Sequence, residues 1–212
     1  MNKLFDFDKQ YGNVVGTDEA GRGPAAGGVF AAAVYFPEVT SGLIADLDRV
    51  NDSKKLSKFA RENLYDVIKS NSINSVVCIE VEEIERINIL NASLKAMKLA
   101  CENVIQTAKL EDFITLVDGN KAIRDYTYPQ KYIIKGDGQS ASIAAASILA
   151  KVERDRYMDD LASEYINYGW NRNAGYLTPE HLKAIDEYGL TKYHRKSFLR
   201  KHFEKQKQLT LF

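Results

Sequence analysis

Asp18 and Glu19 are adjacent carboxylates at the end of an apolar run, Val14-Val15-Gly16-Thr17, and Gly21-Arg22-Gly23-Pro24 follows one residue later. An apolar run that gives way to Gly and Pro reads as a strand ending in a turn, so both acids belong at or near a strand end. Neighbouring residues of a strand point to opposite faces, which prevents the pair from chelating one ion side by side. They can serve different ions instead, or one can offer its backbone carbonyl. A two-metal phosphoryl-transfer site makes that demand, with ions about 4 Å apart clamping the attacking and leaving oxygens. The adjoining glycines would let a phosphate backbone approach the main chain closely.

Taken alone, an acidic pair beside glycines is more often a solvated turn. Two further acids repeat the setting. Asp118 ends the buried run Phe113–Val117 and precedes Gly119; Asp137 follows the run Tyr132–Ile134 and lies between Gly136 and Gly138. Individually these are turn signals. Together, three acid-bearing strand ends favour convergence, because sites in sheets covered by helices form where strand ends gather. Converging acids repel and raise one another's pKa. Mg²⁺ or Mn²⁺, hard ions that prefer oxygen ligands, would relieve that repulsion.

The elements that must position these acids can be read in order. Strands are expected at Asn13–Thr17, Gly27–Phe36 and Val76–Val81, with a helix from a Ser57 cap to about Ser70 between the second and third. Leu94, Met97, Cys101, Val104, Ile105 and Ala108 recur at helical spacing across Asn91–Lys109. A long helix is expected from Ser140 to about Tyr165, so rich in small residues in its first half that it must pack closely. Thr178-Pro179 is an N-cap with proline at N1, opening a helix that stops near Gly189. Strands first, then strands mixed with helices, then helices alone imply an α/β core with a helical C-terminal part.

Composition narrows the setting. The chain has 212 residues, 45% of them hydrophobic, enough for one domain with a small appended element. Cys78 and Cys101 lie in apolar patterns and are expected as core thiols of a reducing compartment. The N-terminus has no apolar secretory core, and the longest apolar run, Val29–Phe36, falls far short of the ~20 residues of a membrane helix. A cytoplasmic, monomeric protein is expected. Lys plus Arg balance Asp plus Glu at 29 each, yet Gly189–Lys207 holds seven basic residues against one acid. That segment is either a solvated helix face or a phosphate-binding one.

With these residues in view, the chain closely resembles bacterial ribonuclease HII, the type 2 ribonuclease H. The matches are Asp18-Glu19-Ala20-Gly21-Arg22-Gly23-Pro24, Asn51-Asp52-Ser53-Lys54-Lys55-Leu56-Ser57, Ile87–Leu94, Val117-Asp118-Gly119 and Lys135-Gly136-Asp137. They continue with Ser142–Val152, Arg154-Asp155-Arg156, Gly175-Tyr176 before Thr178 and His181, and His194-Arg195-Lys196-Ser197-Phe198. The resemblance implies an RNase H-like fold, a mixed central sheet flanked by helices, with a small helical C-terminal region. It places the catalytic core at 1–165, a substrate-contacting helical region at 166–205 and a tail at 206–212.

The implied activity is endonucleolytic cleavage of RNA in RNA–DNA hybrids, and 5′ of single ribonucleotides embedded in duplex DNA, leaving 5′-phosphate and 3′-hydroxyl. By motif position Asp18, Glu19, Asp118 and Asp137 would be the metal-binding catalytic acids. Gly21, Arg22 and Gly23 would read the ribose 2′-hydroxyl and flanking phosphates. Tyr176 would pack on the sugar beyond the ribonucleotide. Lys54, Lys55, Arg195 and Lys196 are further candidates for phosphate contact, whereas Asp155, flanked by arginines, is expected in a structural ion pair. The lysine that the family usually places just before its Gly-Tyr is absent, with Arg172 the nearest replacement.

The last residues, Gln208-Leu209-Thr210-Leu211-Phe212, resemble the peptide by which bacterial repair proteins bind the sliding clamp. Gln208, Leu209, Leu211 and Phe212 would fill apolar pockets of that partner; the bland alternative is a C-terminus folded on its own domain. Two rivals to the main reading are another two-metal nuclease of the same fold and a non-catalytic nucleic-acid-binding protein.

Overall fold

The computed structural model describes residues 3–47 and 58–209, with side chains as far as 204. Lys54, Lys55 and the Ser57 cap therefore lie outside the described residues, as do Thr210, Leu211 and Phe212.

Five strands form one mixed sheet in the order β3-β2-β1-β4-β5: β1 (Val14–Ala20), β2 (Val29–Tyr35), β3 (Ile73–Ile79), β4 (Ile114–Asp118) and β5 (Gln130–Ile133). β2 runs antiparallel to both β1 and β3, whereas β1, β4 and β5 are parallel. Parallel pairing brings the C-terminal ends of β1, β4 and β5 to one edge, the arrangement in which acids at three strand ends can meet. β1 continues beyond Thr17, its expected end, through both acids, because Asp18 and Glu19 stay in register with Ala32 and Ala31 of β2.

The alanines of β2 let helices close on both faces of the sheet. On one face Ala32 and Val34 pack with α1 (Lys3–Asp8), α2 (Ser41–Leu47), α3 (Lys58–Asn71) and the long α6 (Ala141–Glu164). On the other, Ala31 and Ala33 pack beneath α4 (Val81–Ile87) and α5 (Ile89–Ala108), where Cys101 is fully buried; Cys78, half-buried, lies opposite Phe30 of β2 and beside Gly28. The period of two predicted for β1 holds: Val15 faces α5, while Asp18 reaches Ser147 on α6.

α1, α2 and α4 are too short to show a helical period in sequence. α1 nevertheless shapes the core. Its last residue, the buried Asp8, accepts the Ser142 amide at 2.9 Å and caps α6 together with Ser140, whose Oγ accepts the Ile143 amide at 3.2 Å. Burial raises the Asp8 carboxyl above its ordinary pKa.

Beyond α6 the chain forms α7 (Trp170–Asn173), α8 (Pro179–Tyr188) and α9 (Lys196–Leu209). Thr178 caps α8 as predicted, its Oγ1 accepting the His181 amide at 3.2 Å, and Gly189 ends it. These helices bury Trp170, Ile185 and Leu199 with Met158 and Leu161 of α6, so α6 belongs to both cores. Along α6, Ser147, Lys151, Arg154, Met158 and Leu161 follow at intervals of four, three, four and three, one stripe from the acids to the C-terminal core. α9 is continuous through Leu209, so the tail expected from 206 begins within a helix.

Candidate active site

β1 delivers Asp18 and Glu19 to opposite faces of the sheet edge, and β4, parallel beside it, delivers Asp118. Asp18 is almost wholly buried at 6% exposure, and its Oδ1 accepts the Glu19 amide at 2.7 Å. Its carboxyl is pushed well above the ordinary range, first by burial and then by the charges of Glu19 and Asp118, against a stabilising bond from Ser147. Glu19 is raised by burial too; Arg22, paired with it at 3.1 Å, opposes the rise, and Asp118 adds to it. Asp18, Glu19 and Asp118 thus act on one another electrostatically.

Asp137 reaches the group differently. It lies on a 3-10 turn, Gly136–Gly138, following β5, and is half-buried. Asp118 Oδ1 accepts the amides of Gly136 at 2.6 Å and Asp137 at 3.4 Å, which moors that turn to β4. The third acid-bearing segment therefore joins the edge through its backbone. Among the described residues no three carboxylate, imidazole or thiol groups close round a single point, in keeping with Asp18 and Glu19 leaving β1 in opposite directions. The donor set is all oxygen, and within it Asp18 and Glu19 are held at raised pKa, first by burial and also by neighbouring negative charge. Hard divalent cations suit such a set, because they supply the positive charge that the protein withholds.

A cleft beside the acids is lined by Glu19, Gly21, Ser147, Arg61, Lys151 and Tyr176. Arg61 and Lys151 both pair with Asp155, the former at 3.9 Å, so Asp155 is in a structural ion pair as expected. Sequence reading passed over these two cations because helix surfaces carry such residues everywhere.

The Gly21–Gly28 turn is held from behind by two buried guanidiniums. Arg154 of α6 donates to the carbonyls of Ala26 at 3.2 Å and Ala174 at 3.1 Å. Gly21 has φ of +99°, and a Cβ there would fall 2.2 Å from Arg154 Nε, so only glycine fits above this side chain. Arg195 donates to Gly27 O at 2.9 and 2.6 Å, to Gly28 O at 3.0 Å and to Arg22 O at 3.4 Å. It is fully buried, and burial beside Arg154 lowers its pKa to about 10. The guanidinium of Arg195, expected as a phosphate contact, is engaged by the carbonyls of the loop. Lys196, next in the chain, is exposed at the start of α9 and open to such a contact.

The same turn is laced to the C-terminal part by backbone bonds from Ala25 N to Gly175 O, Gly27 N to Tyr193 O and Arg195 N to Ala25 O. Tyr176 emerges there, 53% exposed, with its ring over Gly23, where an added Cβ would lie 3.1 Å from Cε1. The two sequence motifs that the resemblance assigned to the sugar are thus in contact. Arg172, the nearest replacement for the absent lysine, is paired with Glu180.

The family model described as Ribonuclease HII matches residues 15–206. The ribonuclease HII of Fusobacterium nucleatum is 47% identical over 99% of this chain and 96% of its own length. That of Rickettsia africae is 48% identical over 92% and 96%. Among solved structures, ribonuclease H2 from Pyrococcus horikoshii superposes with a TM-score of 0.72 at 25% identity, covering 91% of this chain and 98% of that one. The RNase HII of a PCNA complex from Archaeoglobus fulgidus gives 0.70 at 26%, covering 86% and 93%. Bst-RNase HIII in complex with Mn²⁺ shares the fold with a TM-score of 0.67 at 19% identity, over 86% of this chain and 65% of that one.

Proposed function

The chain belongs to the ribonuclease HII family, and on that footing we propose that it is a metal-dependent endoribonuclease with two substrates. It cuts RNA in RNA–DNA hybrids, and duplex DNA on the 5′ side of a single embedded ribonucleotide, leaving 5′-phosphate and 3′-hydroxyl ends. The observation that carries this reading is the juxtaposition of the buried, mutually repelling acids with the Gly21-Arg22-Gly23 turn and the ring of Tyr176.

Asp18, Glu19, Asp118 and Asp137 would hold a pair of Mg²⁺ or Mn²⁺ ions. Bound there, such ions supply activation of the attacking water and neutralisation of the leaving 3′ oxygen. The protein orients the rest. The turn at Gly21–Gly23 brings the main chain close enough to bond a 2′-hydroxyl, the one group that separates RNA from DNA at a single position. Tyr176 offers a flat apolar face that accepts a deoxyribose and crowds a ribose. Arg154 and Arg195 place two positive charges beneath the loop, which favours phosphate above it. Arg22, paired with Glu19, and the exposed Lys196 would contact phosphate from outside the loop, and Lys54 and Lys55 are assigned the same role by motif.

A labelled duplex with one ribonucleotide, incubated with Mg²⁺, Mn²⁺ or EDTA and mapped at nucleotide resolution, tests the proposal. A metal-dependent nick 5′ of the ribonucleotide, with all-DNA duplex intact, is expected. Cutting of long hybrids without that nick would refute the role given to Tyr176.

We also propose that the Gln208-Leu209-Thr210-Leu211-Phe212 end binds the replication sliding clamp. The Archaeoglobus relative's complex with PCNA supports association of this family with clamps. Truncation after Lys207 should abolish retention on immobilised clamp and leave cleavage of short duplexes unchanged; retention by the truncated chain would exclude the tail.

A further inference from the structure

The peptide that carries Tyr176 is supported by a buried chain of rings with a single consistent proton arrangement. The Tyr176 carbonyl accepts the Thr178 amide at 2.9 Å and lies 2.9 Å from Nδ1 of His181. The other ring nitrogen of His181, Nε2, accepts the indole N–H of Trp170 at 3.0 Å and faces Nε2 of His194 at 3.1 Å. His194 Nδ1 in turn accepts the Thr191 amide at 2.9 Å.

A neutral imidazole has one N–H. Because the Thr191 amide occupies His194 Nδ1, the His194 proton is on Nε2 and donates to His181. His181 Nε2 then accepts twice, so its own proton is on Nδ1 and points at the Tyr176 carbonyl. Both rings are buried, at 0% and 2% exposure, with Tyr168 and Trp170 packed edge-on or tilted against them. Burial lowers both pKa values, His194 to about 4, which favours the neutral form of each ring.

We propose that His181 is a positioning residue for junction recognition: oriented by Trp170 and His194, it fixes the peptide from which the Tyr176 ring reaches over Gly23. This rests on the reading of Tyr176 given above. His181 touches no substrate in this scheme; it acts through the tyrosine.

The test compares kcat/KM for a duplex bearing one ribonucleotide with kcat/KM for an RNA–DNA hybrid, in the full chain, with melting curves to confirm folding. His181→Phe keeps ring volume without the donor and should lower the single-ribonucleotide to hybrid ratio about 5- to 20-fold, the size of losing one buried hydrogen bond. His181→Asn, whose amide can stand in for Nδ1–H, should hold the ratio within about threefold, whereas His181→Gln, reaching the Nε2 side, should lose it like Phe. Should the Phe variant fail to fold, the Asn and Gln pair decides.

In a Tyr176→Ala background His181→Phe should move the ratio by less than about twofold, since the two changes act on one device. Equal loss on both substrates, or an undiminished effect in the Tyr176→Ala background, would overturn the proposal. If Tyr176→Ala by itself leaves the ratio unchanged, the reading of Tyr176 fails and this inference with it. If Tyr176→Ala changes the ratio but His181→Phe does not, only the role of His181 fails.

Discussion

At the end of β1, Asp18 is buried and Glu19 half-buried beside Asp118, both with raised carboxyl pKa values. A few residues later, the Gly21–Gly28 turn rests on Arg154 and Arg195, whose buried guanidiniums donate to the carbonyls of that turn and of Ala174. Both regions bury charge. In the first, like charges are gathered and repel one another; in the second, each charge is met by carbonyls already in place. On the function proposed above, the acid edge is complete only when divalent metal arrives, whereas the turn assigned to reading the substrate is preformed. On that function, a site so divided would bind nucleic acid by shape without metal, and catalysis would wait for the metal.

The largest effect should come from removing charge at the acid edge. Asp18→Asn keeps the shape and is expected to lower kcat by about 10³ or more. The same variant should melt at a higher temperature than the parent in EDTA, because it removes a buried, repelled carboxylate. A lower melting temperature would place the stabilising interactions of that edge elsewhere and break the contrast.

Arg195→Lys tests the other region. A lysine cannot reproduce the fork that spans Gly27, Gly28 and Arg22, so carbonyls lose their donors. A loss of about 2–4 kcal/mol in urea unfolding is expected. A variant as stable as the parent would show that the loop does not depend on its guanidinium.

The smallest effect is thermal. The raised carboxyls of Asp18 and Glu19 mean that the metal-free folded state binds more protons than the unfolded chain above their ordinary values of 3.8 and 4.5. That difference subtracts stability as pH rises through the folded-state values, and the penalty is absent below the ordinary ones. Mg²⁺ or Mn²⁺ should therefore raise the melting temperature more at pH 8 than at pH 5. At a concentration a hundred times Kd the stabilisation is about 2.7 kcal/mol. Differential scanning fluorimetry with and without metal at both pH values checks this, and Asp18→Asn should flatten the difference.

The two regions also differ in how far sequence disclosed them. The acid-bearing strand ends were legible because three apolar runs each lead to an acid near glycine, a repetition that a single turn signal does not give, and β1, β4 and β5 lie where those runs predicted. Strand ends moved by a few residues, since the ladder between β1 and β2 continues on pairing that an isolated segment cannot reveal. The loop supports were not legible. Arg195 reads as a surface cation within a basic segment, and only contacts 168 positions away make it a core residue. His181 stood in a matched motif without a role, because its partners, Trp170 and His194, are assembled by the C-terminal core. Asp8 capping α6 across 134 positions is of the same kind. Local pattern reports strand ends well; it is silent about side chains whose partners arrive from another part of the chain.

The stripe on α6 ties the regions together in a way that constrains length. Ser147 meets Asp18, Lys151 lines the cleft, Arg154 carries the turn, and Met158 with Leu161 anchors the C-terminal core. One residue inserted or deleted within this helix turns everything beyond it by about 100°. Catalytic edge, reading loop and tyrosine support would then lose phase simultaneously. The residue count of α6 between Ser147 and Leu161 therefore sets the phase between the acid edge, the Gly21–Gly28 turn and the C-terminal core.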